Sequence, residues 1–290
     1  MKEEEFILYN QESFILKDIF ECGQCFRWNK QEDDSYTGVI KYGVLNVKQE
    51  NNKIIFKGKI IDNYKLKDIV EDYFDLNTNY SEIKNILKKI DQYMEESIKF
   101  GNGIRILNQD FWETIISFII SANNNIPRIK NIIDKISKKY GNKIEWNNNE
   151  YYLFPTVEQL SKAEIEDLRN LGLGFRDKRI YKTTQMIKNK EFDLDKISKI
   201  KDLDELKCEL LRLDGVGEKV ADCIALFSLH RFDVFPIDVW VRRVMNDLYI
   251  HNEIEEKVKK EDIKKIAEEK FKNYKAIAQQ YLFYWKRENA

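Results

Sequence analysis

Lys219 and Asp238 are the two residues whose types and settings best suit chemistry. Lys219 follows the turn Leu213-Asp214-Gly215-Val216-Gly217 and opens an apolar run through Val220, Ala221, Cys223, Ile224, Ala225 and Leu226. A lysine in such a first helical turn is ordinarily solvated. Among apolar neighbours it would instead lose solvation, which disfavours the ammonium form and frees a nucleophilic amine. Nineteen residues later comes Phe235-Pro236-Ile237-Asp238-Val239, with the aspartate ahead of a second amphipathic run. That is an N-cap position, and capping alone would account for it. The functional alternative is a carboxylate fixed at a helix start and facing a reacting centre. The Gly-Val-Gly turn permits positive φ and a close backbone approach, and the helix beyond it offers bare N–H groups to a phosphate. A purely structural turn of the same composition is equally open.

Other chemistries are poorly supported. The four cysteines are Cys22, Cys25, Cys208 and Cys223, and the two histidines are His230 and His251. Cys22 and Cys25 form a lone C-x2-C, short of the four ligands a structural zinc needs, so no zinc is expected and the cysteines read as reduced thiols. A Ser-His or Cys-His hydrolase would have to use His230 or His251, and neither lies in a fitting motif.

The elements that must position these residues fall into two parts. In residues 1–100, short β-type runs at 26–28, 36–40, 44–47 and 53–57 are separated by Gly, Asn and Asp, as in an antiparallel sheet with hairpins. Helical spacing begins near Lys65, with Ile69, Tyr73, Ile83, Ile86, Leu87 and Ile90. Residues 101–290 show almost no strand signal. Helices are expected over 111–122, from Pro127 to Tyr140, over 158–171, 178–188, up to Leu211, and over 218–229, 239–249 and 261–285. There is no long linker and no internal repeat. The fold class expected is α+β: a small antiparallel sheet domain (1–100) packed on a mostly helical domain (101–290).

Composition sets the class of partner only loosely. The chain has 290 residues, 43% hydrophobic and 34% charged, a normal soluble balance. No apolar run is long enough to span a bilayer, and the acidic start MKEEEFILYN does not read as a signal peptide. A cytoplasmic location is expected. A net charge of −1 does not announce a nucleic-acid binder, so any basic surface must be a patch assembled by folding.

Taken together, the hairpin with Gly-Val-Gly, Lys219 and the Pro236-x-Asp238 segment resemble the helix–hairpin–helix DNA glycosylase superfamily. Absence of cysteines after Cys223 argues against its iron–sulfur branch, and Lys219 against its monofunctional alkyl-base branch. Gly23-Gln24-Cys25-Phe26-Arg27-Trp28, Ser121-Ala122-Asn123-Asn124-Asn125-Ile126, Leu171-Gly172-Leu173-Gly174-Phe175-Arg176 and Val220-Ala221-Asp222-Cys223 resemble the 8-oxoguanine DNA glycosylase/lyase family across nearly the whole chain.

The resemblance implies a flipped-out lesion base, with Lys219 as nucleophile and Asp238 as its carboxylate partner. It gives the Gly23 carbonyl to the N7–H that 8-oxoguanine has and guanine lacks. Cys223 and Phe283 become the two walls of a stacking sandwich, and Gln279 the reader of the Watson–Crick edge. Asn123 enters the gap left in the duplex, Arg128 and Arg176 read the orphaned cytosine, and Phe175 is a wedge where many relatives have Tyr. Gly215, Gly217, Val220 and Trp240 meet the DNA backbone. A sodium or potassium ion would rest on the carbonyls of Leu211, Leu213 and Val216, with no required cofactor. Trp240 and Lys286 depart from a His/Asp pair of vertebrate-type relatives, which suggests that a phosphate contact has been replaced. The implied partner is double-stranded DNA containing 8-oxoguanine opposite cytosine, bound by a monomer. The rivals are an alkylpurine glycosylase, for which Lys219 would be dispensable, and a non-catalytic DNA-binding module, for which Asp238 would have no use.

Overall fold

In the computed structural model, which describes residues 1–289, the first sixty residues curl into one five-stranded antiparallel sheet. Its strands are β1 (Lys2–Tyr9), β2 (Trp28–Lys30), β3 (Tyr36–Ile40), β4 (Gly43–Glu50) and β5 (Lys53–Ile60), in the order β1-β5-β4-β3-β2. Hairpins join β2 to β5 in sequence, and β1 closes the far edge with Phe6 opposite Phe56. The acidic N-terminal segment is therefore a strand, which its charged run concealed. Exposed and half-buried residues alternate over its first half, and it pairs on one side only, as an edge strand does. Between β1 and β2 a short helix, α1 (Leu16–Glu21), ends in the turn that carries Gly23.

Three helices follow, α2 (Leu66–Tyr73), α3 (Tyr80–Leu87) and α4 (Gln92–Phe100). Asn79 and Asp91 cap the latter two through their side chains. Phe14, Phe20, Trp28, Phe56 and Phe74 form the aromatic centre of the sheet's own core. The side chains of α3 and α4 join instead the large helical core.

That core is built on α5 (Phe111–Ser121), apolar on nearly every side and enclosed accordingly. Next come α6 (Ile126–Tyr140), with Pro127 in its first turn, and a two-stranded ribbon, β6 (Lys143–Trp146) and β7 (Asn149–Tyr152). The ribbon was not expected. Its signal is Asn147-Asn148, both at positive φ (49° and 60°), the pattern of a two-residue hairpin turn.

The helix expected over 158–171 is broken into α7 (Val157–Leu160), α8 (Ile165–Leu168) and a wide turn through Arg169–Leu173. The chain leaves the helix at residues 161–164, and Gly172 at φ 95° kinks the wide turn that follows α8. After α9 (Asp177–Lys188), α10 (Leu194–Ile197) and α11 (Leu203–Leu211), α12 runs Glu218–Leu229 within its expected bounds, and α13 covers Val239–Met245. The long final helix is in fact two, α14 (Lys260–Phe271) and α15 (Lys275–Glu288), because Lys272 takes φ 48°. No helix is long and apolar enough to cross a membrane among the described residues.

One ion pair joins the sheet segment to α5. Arg27 lies 3.7 Å from Glu113, and both are mostly buried. Burial pushes the Glu113 carboxyl up to about 7, against the pull of Arg27. Unfolded, it titrates near 4.5, so between those values the folded chain holds a proton that the unfolded chain has released. Stability contributed by this group is therefore lost as pH rises through that window. Glu113→Gln should gain roughly 1–2 kcal/mol on the wild type between pH 5 and pH 8, read from urea denaturation at both.

Candidate active site

Two turns and three helices meet around one small cavity of about 50 Å³. Its lining is Gly23, Phe118, Lys219, Cys223, Phe227, Pro236, Asp238, Gln279, Gln280 and Phe283. Segments remote in sequence thus converge: the α1 turn, α5, α12, the start of α13, and α15.

Each side chain has a local reason for its place. Lys219 lies in the first turn of α12, and Cys223 one turn further along the same face. Asp238 is the N-cap of α13 and accepts the Val241 N–H at 2.8 Å. One carboxylate oxygen is thereby committed, which orients the other. Gln279 and Phe283 are likewise one turn apart on α15. Gly23 stands at φ 89°, a conformation that favours glycine. The turn is anchored by Gln24, fully buried. Its side chain donates to the carbonyls of Ile19 and Arg105 and accepts from the Leu107 N–H, each at 2.8 Å.

The electrostatics correct one expectation. Lys219 is not driven toward the free amine in the free protein; its pKa is raised. The Cys223 sulfur is the largest influence, burial opposes it, and the Asp238 carboxylate adds to the rise. Burial pushes the Cys223 thiol itself up to about 11, so at neutral pH that sulfur carries no charge. Against a larger effect of burial, the Asp238 carboxylate also favours the ammonium. Phe118 reinforces this, its ring centroid 5.6 Å from Nζ. The Cys223 sulfur and the Asp238 carboxylate together outweigh the apolar setting that the sequence suggested.

Outside the cavity, Asn123 is exposed at φ 52°, just beyond α5. Phe175 is 56% exposed, and Arg128 is exposed with one nitrogen 3.2 Å from the Gly172 carbonyl. All three are exposed. Arg176 does not join them. It is 2% exposed, and its guanidinium donates to the carbonyls of Ala122 (3.0 and 2.6 Å), Asn123 (2.8 Å) and Leu173 (3.3 Å). In the free protein it props up the Asn123 turn. Arg176→Ala should lower stability by about 2 kcal/mol, since it strands several carbonyls, and chemical denaturation will read it.

At the hairpin, only Gly215 has positive φ (92°), and a Cβ there would meet Arg179 at 2.7 Å. Gly217 is extended, caps α12, and has open space where a Cβ would stand. Its value is the bare approach to the helix N-terminus, not a special conformation. Val220 is buried in the same first turn. Trp240 is 39% exposed under the Arg243 guanidinium, 5.4 Å from its ring centroid. Lys286 pairs with Asp247 at 3.1 Å, so it does not stand in for a partner of Trp240. Phe118, Phe227 and Gln280 were not singled out from sequence. Each lies in a segment where apolar packing explains it equally well.

Comparison with known proteins agrees with this geometry. Residues 6–115 match the family model "8-oxoguanine DNA glycosylase, N-terminal domain", and residues 116–279 match the "HhH-GPD superfamily base excision DNA repair protein" model. The chain belongs to the 8-oxoguanine DNA glycosylase/lyase family. Within it, the chain is 33% identical to an N-glycosylase/DNA lyase of Saccharomyces cerevisiae, over 81% of this chain and 68% of that one. It is 30% identical to a probable N-glycosylase/DNA lyase of Methanothermobacter thermautotrophicus, over 63% of this chain and 64% of that one. Among solved structures, the apo form of Clostridium acetobutylicum 8-oxoguanine glycosylase/lyase superposes with TM-score 0.90 at 41% identity, covering 98% of each chain. A structure of that enzyme with double-stranded DNA containing cytosine opposite 8-oxoguanine gives 0.91 at 41% identity, covering 100% and 98%. The fold also resembles 3-methyladenine DNA glycosylase of Archaeoglobus fulgidus, at 21% identity, a likeness of architecture alone.

Proposed function

We propose that Lys219 and Asp238 carry out the chemistry of a bifunctional 8-oxoguanine DNA N-glycosylase and AP lyase in this chain. The observation that carries the assignment is their meeting in one cavity with a thiol wall, an aromatic wall and the Gly23 turn. The two units suggested are a sheet unit, residues 1–100, that supplies Gly23, and a helical unit, residues 101–290, that supplies the rest.

The base swings out of the duplex and lies between Cys223 and Phe283. A cavity of about 50 Å³ holds a few waters rather than a bicyclic base, so the Phe283 wall moves on entry. The Gly23 carbonyl accepts from N7–H. Guanine presents a lone pair there instead, and the carbonyl would be left unpaired. Gln279 reads the Watson–Crick edge.

Lys219, freed of its proton, attacks C1′ while the bond to N9 breaks and the base leaves protonated. Asp238 stabilises the positive charge that grows on the sugar. Ring opening yields the Schiff base. Loss of a C2′ proton then expels the 3′ phosphate and nicks the strand. Asn123, Phe175 and Arg128 fill the gap and hold the opposite cytosine, and Arg176 joins them after exchanging its carbonyl partners. The Gly215–Gly217 hairpin, the α12 N-terminus at Val220, and Trp240 with Arg243 meet phosphates.

The carbonyls of Leu211, Leu213 and Val216 suit a monovalent cation. Leu213 oxygen already accepts the Val216 N–H at 3.0 Å and has a second lone pair to offer. The ion would steady the hairpin against DNA.

The test is borohydride trapping on duplex DNA with 8-oxoguanine opposite cytosine. A covalent adduct together with released 8-oxoguanine is the expected result. Released base without any adduct would replace the lysine mechanism by direct hydrolysis. Tight binding with neither product would leave a DNA-binding module.

A further inference from the structure

Arg287 lies one turn beyond Phe283 on α15, outside the cavity lining, yet it touches both of the features that would define a base-reading slot. Its Nη2 donates to the Glu21 carbonyl at 2.5 Å, at the end of α1 and two residues before Gly23. Its guanidinium carbon is 5.3 Å from the centroid of the Phe283 ring. Nε donates to Glu288 at 3.0 Å. Nη1 is buried with no hydrogen-bond partner among the described residues, and it stands 3.2 Å from where a Cβ on Gly23 would be. The Phe283 ring edge is 3.3 Å from the same point.

One planar cation therefore sits between the Gly23 turn and the outer face of the stacking wall. A second strap runs parallel to it, since the Gln280 amide donates to the Cys22 carbonyl at 2.6 Å. Ordinary surface arginines keep long, solvated side chains; this one is only 19% exposed and leaves a donor unpaired. Burying an unpaired guanidinium N–H is unfavourable, so the position is one that other contacts impose.

We propose that Arg287 is a positioning residue for lesion recognition: it sets the separation and angle between the Gly23 carbonyl and the Phe283 ring. Discrimination by one hydrogen bond to N7–H demands that the acceptor lie in the plane of the stacked base. A guanidinium bonded to Glu21 and packed on Phe283 couples those two coordinates. The inference rests on the lesion-reading roles given above to Gly23 and Phe283.

The experiment compares two substrates. One is duplex DNA with 8-oxoguanine opposite cytosine, which needs base recognition. The other is the same duplex with a preformed abasic site, which needs Lys219 but presents no base. Arg287→Met should slow single-turnover excision by about ten- to a hundred-fold, the scale expected for a misplaced binding group. β-Elimination at the abasic site should stay within about twofold, as a variant unchanged in folding and nucleophile requires. Arg287→Lys keeps the charge but lacks the fork, and should recover only part of the excision rate. Equal losses on both substrates would overturn the proposal in favour of a general structural role, as would unchanged excision by Arg287→Met. Wild-type enzyme that cleaves the abasic site but never releases 8-oxoguanine would instead overturn the lesion assignment, and this inference with it.

Discussion

Replacing Lys219 by glutamine should abolish the borohydride-trapped adduct and slow both base release and strand nicking by at least about a thousand-fold. Glutamine is shorter than lysine by one atom and carries an amide where lysine has its amine. No other lysine lines the cavity, so no neighbouring amine is placed to substitute. Folding should survive, because the ammonium now stands beside Asp238 in a mostly buried site, and a neutral amide is easier to bury there than an unpaired charge. DNA binding should change little, since the phosphate contacts suggested here come from the hairpin and the α12 N-terminus. Measured together, trapping, single-turnover excision and binding separate loss of the nucleophile from loss of the complex. Full excision by the variant would remove Lys219 from the mechanism and leave water as the attacking group.

Asp238→Asn should cut the single-turnover rate by roughly 10²–10³ while leaving the melting temperature close to that of the wild type. The reasoning turns on two roles in one side chain. As the N-cap of α13, Asp238 accepts the Val241 N–H, and asparagine does this about equally well. As an anion beside Lys219 it has no neutral substitute. Asp238→Ala loses the cap as well and should fall a further ~1 kcal/mol in stability. The Lys219 pKa supplies an independent check. Asp238 raises it, so removing the charge should lower it, and the pH at which excision levels off should move down in Asp238→Asn. A variant equal to wild type in rate, with only stability changed, would reduce Asp238 to its capping role.

The same two residues show how far local sequence carries. Lys219 and Asp238 were legible because each sits at a helix start, and helix starts have strong local signals. A glycine turn precedes one, and a proline stands two residues before the other. The α12 boundaries were equally plain, since the glycines, the apolar run and the αL residue His230 all act over a few neighbours. The β3–β5 meander was visible in its alternation and its turn residues. The breaks at 161–164 and at Lys272 were not: residues inside a helical pattern, and a lysine with positive φ, reveal their conformation only when packing demands it.

The sequence by itself indicated the β3–β5 meander, most of the helices, the hairpin and the proposed nucleophile with its carboxylate, because those depend on nearest neighbours along the chain and on motif spacing. Tertiary structure alone decided three things. It reversed the expected direction of the Lys219 pKa, because Cys223 and, from nineteen positions away in sequence, Asp238 face it in one cavity. It turned Arg176 inward onto the carbonyls of the Asn123 turn instead of leaving it facing outward. And it set Arg287 against Gly23 and Phe283, joining the two ends of the chain. Charge interactions and hydrogen bonds act over distance in space, and no pattern along the chain records which distant groups folding will bring within a few ångströms.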